Sequence, residues 1–186
     1  MSETGNSLYD ENDPFQLRKG HTLSWENVTV TRGGKAIVNN LIGEISPHNL
    51  TAIMGHSGAG KTTLLNVLSG KTCYEGRVQL DGVEIVPNDI QRKIAFVAQD
   101  DTLLATATPL EAIAFSARLR LPKNVSDEQT LQLASRIVTE LGLDACKDVL
   151  IKNLSGGQKR RVSLGIELVV RPSIVLIDEP TSGLDR

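Results

Sequence analysis

Hydrophobic positions become periodic near Leu23, where Leu23, Trp25, Val28 and Val30 interleave with polar residues in a strand-like pattern. Gly33-Gly34 reads as a hairpin turn into Ala36–Val38. Leu50–Met54 is a short apolar run that ends at Gly55 and gives way to a helical pattern over Lys61–Leu68, closed by Gly70. That order predicts a strand–loop–helix unit. Gly76–Ile85 alternates like a strand pair around Asp81-Gly82, and Ile94–Ala98 predicts another strand. Pro109 opens a helix through Leu119, proline being tolerated in the first turn. Ser126 followed by Gln129 is a capping-box pattern, with Leu131, Ala134, Ile137, Val138 and Leu141 as one apolar stripe behind it. A third long helix runs from Ser155 to about Val170, stopped before Pro172. Ile174–Ile177 is wholly apolar, the pattern of a buried parallel strand. The sum is a mixed α/β core with a helical insert between about Thr102 and Ile151.

Composition narrows the picture without redirecting it. The 186 residues suit one domain with a substantial core. A net charge of −2 gives no general pull toward nucleic acid. Lys159-Arg160-Arg161 reads as the solvated face of a helix, so no nucleic-acid partner is expected. Cys73 and Cys146 lie far apart without a CxxC partner and read as reduced thiols. No apolar run approaches the roughly 18–20 residues that cross a bilayer. Residues 1–20 are polar and acidic, unlike a signal peptide, and predict a disordered tail ahead of a domain over 21–186.

Three constellations carry chemistry. In the first, Gly55, His56, Ser57, Gly58, Ala59, Gly60, Lys61 and Thr62 follow an apolar run and open a helix. Glycines let consecutive N–H groups converge on phosphates at a helix N-terminus, with Thr63 beside them. Lys61 adds charge at the β/γ-phosphates, and the Thr62 hydroxyl can ligate Mg²⁺. In the second, the apolar strand delivers Asp178 and Glu179 at its C-terminal end, where α/β sheets gather ligand groups. Asp178 is expected to hold Mg²⁺ through water, and Glu179 to orient or deprotonate an attacking water. The third is Leu154, Ser155, Gly156, Gly157 and Gln158 at the start of a helix. Glycine is costly inside a helix, by roughly 1 kcal/mol each, but here it exposes amides at a positive helix end. One triphosphate needs only one such cradle, so this second one is expected to serve a partner's nucleotide. A plain N-cap with a glycine turn is the alternative.

A GxxxxGKT loop, an LSGGQ pentapeptide and an apolar strand ending Asp-Glu, in this order, resemble the ATP-binding cassette (ABC) family from about Leu23 to Asp185. The stretches Ala52–Leu65, Phe115–Pro122, Gln158–Leu168 and Asp178–Asp185 look most like the eukaryotic White or subfamily-G half-transporters. The resemblance implies a P-loop NTPase cassette: a RecA-like core with an antiparallel β subdomain and a helical subdomain, about 102–170. It implies ATP and Mg²⁺, with Gln99 as the glutamine that senses Mg²⁺ and the γ-phosphate. Ser182–Asp185 match the D-loop, which puts Asp185 beside a second cassette's site. A head-to-tail cassette dimer, a C-terminal transmembrane domain and a place on the cytosolic face of a membrane are implied too.

The chain departs from the family pattern in four places. Neither Thr31 nor Arg32 supplies the usual adenine-stacking aromatic; Trp25 falls too early and is expected to pack, which leaves Arg32 as a stacking candidate. Val149–Asn153 is short, and Gln158 stands where the subfamily usually carries glutamate. The sequence ends at Arg186 with no counterpart of the switch histidine, since His21, His48 and His56 all lie upstream. This reads as a cassette truncated after the D-loop, with weak or no ATPase activity in isolation. The leading expectation is the ATP-hydrolysing part of an exporter of lipid-like or other small molecules. A soluble ABC ATPase without a transport role and a module that binds ATP but hydrolyses it poorly are the alternatives.

Overall fold

The computed structural model describes residues 20–85, 90, 93–99 and 102–179. They form two compact units.

The first unit comprises Gly20–Gln99 and Pro172–Glu179. Strands β1 (Leu23–Arg32), β2 (Lys35–Ile45), β3 (Glu75–Leu80) and β4 (Val83–Glu84) make an antiparallel sheet in the order β2-β1-β3-β4. Gly33-Gly34 and Asp81-Gly82 form its turns, as their sequence predicts, with φ positive at all four residues. Inward positions Leu23, Val28, Val30, Val78 and Leu80 are buried, together with Leu64, Leu65, Val67 and Leu68 of helix α1 (Lys61–Leu68). Strands β5 (Ile94–Val97) and β6 (Ile174–Ile177) pair in parallel, residue for residue from Ile94↔Ile174 to Val97↔Ile177. The parallel expectation for β6 holds, but only Leu176 is fully buried and the other three residues are half-buried.

The strand expected at Leu50–Met54 does not form. The segment is irregular; Leu50 and Met54 are 102 % and 88 % exposed, and Ile53 alone packs against the core. Among the described residues no strand pairs with it. An apolar run without a ladder partner cannot satisfy its backbone groups in a sheet, whatever its propensity.

The second unit holds helices α2 (Pro109–Arg120), α3 (Asp127–Glu140) and α4 (Gly156–Leu168), with short 3₁₀ turns at Asp144–Cys146 and Ile151–Asn153. All three helices begin with reciprocal capping boxes: Thr108 with Glu111, Ser126 with Gln129, and Ser155 with Gln158. The α3 stripe differs from its sequence expectation by one position. Thr130, Leu133, Ala134, Ile137 and Val138 are buried, whereas Leu131 is 48 % exposed. Counted from Thr130, positions i, i+3, i+4, i+7 and i+8 face inward, and Leu131 falls one residue off that face. Gly165 lets α2 and α4 approach closely, since a Cβ there would sit 2.7 Å from Ile113 Cδ1.

Candidate functional site

The glycine loop lies between β2 and α1. Gly58 and Gly60 adopt φ of 79° and 89°, left-handed values that side chains rarely take, and Gly60 is the N-cap of α1. A Cβ at Gly60 would meet Val38 Cγ2 at 2.9 Å and the Ile37 carbonyl at 3.1 Å, so the loop presses on β2 with no room for a side chain. Around Gly58 nothing lies within 4 Å of a built Cβ, leaving open space on the loop. Lys61 Nζ curls back to donate to the carbonyls of Gly55 (2.8 Å) and His56 (3.0 Å). Ala59 donates its N–H to the His56 carbonyl. His56 Nδ1 lies 2.8 Å from the Ser57 carbonyl, which accepts from it, so Nδ1 carries the hydrogen. Ser57 and Thr62 are exposed and Thr63 half-buried. A cation held over open glycine backbone at a helix N-terminus fits a polyphosphate tail.

The other groups stand at the C-terminal ends of the parallel strands. The Asp178 N–H donates to the Val97 carbonyl, which continues the β5–β6 ladder and buries Asp178 to 4 % exposure. Glu179 follows with φ 46°, a left-handed conformation that is sparse for glutamate and turns its side chain away from the strand path. It is exposed, and its Oε2 accepts a 2.8 Å hydrogen bond from Gln99 Nε2 just past β5. Residue-level reasoning alone would not select Gln99. Its separation of 80 residues from Glu179 carries no signal, and only the parallel register of β5 and β6 makes them neighbours. The donor set of a hydroxyl, a buried carboxylate and an amide oxygen suits a hard cation such as magnesium.

Ser155, Gly156, Gly157 and Gln158 open α4 in the helical unit. Ser155 Oγ accepts from the Gln158 N–H at 3.3 Å, and Gln158 Oε1 accepts from the Ser155 N–H at 2.9 Å. The S-x-x-Q spacing of Ser155 and Gln158 is the local signal for this box. It leaves Gly156 and Gly157 at the first two helical positions, whose amides have no acceptor within the helix. Of the neighbouring cations, Arg160 is 8 % exposed, and Arg161 Nη1 donates to the carbonyls of Leu141 and Gly142 at the end of α3. Trp25 packs as expected: it is 7 % exposed, and its ring lies so close to Gly43 that a Cβ there would clash with it. Arg32 is exposed at the hairpin tip. Asp185, with the rest of Ser182–Asp185, lies outside the described residues.

Comparison with known proteins gives a consistent answer. The "ABC transporter" family model matches residues 38–182. "ABC transporter G family member 22" of Arabidopsis thaliana is 41% identical over 162 residues, covering 81% of this chain and 21% of the relative. "ABC transporter G family member 1" of Petunia hybrida is 41% identical over 181 residues, covering 89% and 28%. "Probable ATP-dependent permease" of Saccharomyces cerevisiae is 40% identical over 195 aligned positions, covering 97% and 18%. The chain thus spans between 18% and 28% of the length of these curated relatives. With its glycine loop, its Asp-Glu strand end and these matches in one stretch, the chain belongs to the ABC transporter family, in its nucleotide-binding part and of the G-family kind.

Proposed function

We propose that this chain binds Mg·ATP at Gly55–Thr63 and hydrolyses it in a head-to-tail pair of cassettes that drives transmembrane export of a lipid-like or other small molecule. The observation that carries this reading is the Lys61 ammonium, folded onto the loop's own carbonyls above left-handed glycines. A triphosphate offers that cation stronger acceptors than two neutral carbonyls do. Loop amides and Lys61 would then grip the β- and γ-phosphates, with Thr62, Asp178 and Gln99 as the magnesium-holding groups. When bound, magnesium neutralises charge on the phosphate oxygens.

Glu179 orients the attacking water and accepts its proton. Its hydrogen bond to Gln99 keeps the carboxylate at the mouth of the strand ends. The capping box uses a lone pair of Ser155 Oγ and leaves its O–H free to donate. That hydroxyl and the amides of Gly156 and Gly157 serve the γ-phosphate held by the partner cassette. Asp185 belongs beside the partner's site. The helical unit is the subdomain that faces a transmembrane partner, on the cytosolic side of the membrane. No helix among the described residues is long and apolar enough to cross a membrane. The name of the yeast relative, "Probable ATP-dependent permease", supports the transport reading.

Titration calorimetry with Mg·ATP tests the binding step. Micromolar-to-millimolar affinity in the unsubstituted protein, lost in Lys61→Ala, is the expected result; no heat of binding from folded protein overturns it.

A further inference from the structure

Helix α4 is held at its C-terminal end by a donor pair from another helix. Its last carbonyls have no acceptor role within the helix. That of Ile166 accepts two hydrogen bonds from α2, from Ser116 Oγ at 3.1 Å and from Arg120 Nη1 at 3.1 Å. Arg120 Nη2 also donates to Glu167 Oε2 at 3.1 Å. Ser116 and Arg120 are one helical turn apart, and the missing side chain at Gly165 allows the close approach that brings both onto one carbonyl. Ser116 is 7 % exposed, so its hydroxyl is committed to this contact.

We propose that Arg120, with Ser116, is a positioning residue for ATP hydrolysis: by capping Ile166 it sets the tilt of α4 and so the place of Ser155–Gly157 against a partner's nucleotide. The inference rests on the role given above to Ser155–Gly157. Ser155 and Ile166 are eleven residues apart, which at 1.5 Å per residue is roughly 16 Å of helix. A tilt of about 5° about the capped end moves the other end by roughly 1.4 Å, while hydrogen-bond distances span only about 0.5 Å. Arg161 ties α4 to the end of α3, and the N–H groups of Ile151 and Lys152, just ahead of Ser155, donate to the carbonyls of Ala107 and Ala105. Those ties lie ahead of Ile166, and the Ile166 cap adds the side-chain restraint at the C-terminal end of the helix. The ion pair to Glu167 is partly exposed and contributes little by itself.

The test is steady-state hydrolysis and Mg·ATP affinity in the full-length protein. Arg120→Ala should lower kcat roughly tenfold or more, with the ATP dissociation constant within about twofold of the original, since misplacement by about 1 Å is costly for a transition state. Arg120→Lys, whose ammonium still donates to the Ile166 carbonyl, should restore part of kcat, and Glu167→Ala should stay near the unsubstituted rate. Should Arg120→Ala fail to fold, Ser116→Ala removes one donor of the same cap and should lower kcat several-fold with an unchanged dissociation constant. An unchanged kcat in Arg120→Ala or, with that variant unfolded, in Ser116→Ala overturns the inference. An equal loss of ATP affinity does so too, as does a Glu167→Ala defect as large as that of Arg120→Ala. Unsubstituted protein that does not bind Mg·ATP sinks the function reading itself, and this inference with it.

Discussion

Gln99 Nε2 donates to Glu179 Oε2 across 2.8 Å, joining the ends of two parallel strands through residues 80 positions apart. The contact ties the group that would sense the nucleotide to the group that would act on water. Glu179→Gln keeps an oxygen that can accept from Gln99 but removes the base. Its ATP affinity should match the original protein, while hydrolysis in the full-length protein falls by roughly 100-fold or more. Calorimetry and phosphate release measure the two; normal turnover would show that Glu179 is not the base.

Lys61→Ala removes the cation and its two bonds to the loop carbonyls. Affinity for Mg·ATP should drop by at least about tenfold, as expected for losing a charge-assisted contact of roughly 1.5–3 kcal/mol. Thermal stability without nucleotide should change little, because the side chain bonds only to an open loop.

Gly165→Ala places a methyl 2.7 Å from Ile113 Cδ1 and 3.1 Å from Leu141 Cδ1. Overpacking of this kind costs about 1–3 kcal/mol. Denaturant titration should show the midpoint falling while the slope holds.

Ser126→Ala removes the acceptor for the Gln129 N–H at the start of α3, a cap made by side chains with no proposed functional role. A loss of about 1 kcal/mol is expected, with ATP affinity untouched.

Burial, and then the negative charge of Glu84, hold the Tyr74 hydroxyl above its ordinary pKa of 10.0. The folded state therefore keeps this proton more tightly than the unfolded state does. The resulting stability is fully present below the unfolded value and is lost as pH rises from about 10 through the folded value. Denaturation midpoints should fall across that window, less steeply in Tyr74→Phe.

Local chemistry explains what could be read without coordinates. The boxes at Ser126/Gln129 and Ser155/Gln158 each lie within four residues, as do the turns at Gly33-Gly34 and Asp81-Gly82, and the loop from Gly55 to Thr62 is one unbroken stretch. Every group they need is supplied by the same short stretch, so residue order is enough to specify them. Leu50–Met54 marks the limit: its composition says strand, yet a strand exists only when a neighbour completes its ladder. The choice of Leu133 over Leu131 as a core residue likewise depends on which face of α3 meets its neighbours.

By itself the amino-acid order determined the helix starts, the hairpin turns, the phosphate-type loop and the family. Tertiary structure alone decided that Gln99 reaches Glu179 and that Ser116 and Arg120 reach Ile166, since partners 46 to 80 residues apart meet only through strand register or close helix packing. Those long-range encounters repay their loop-closure entropy only once the whole unit has assembled, which is why no local pattern announces them.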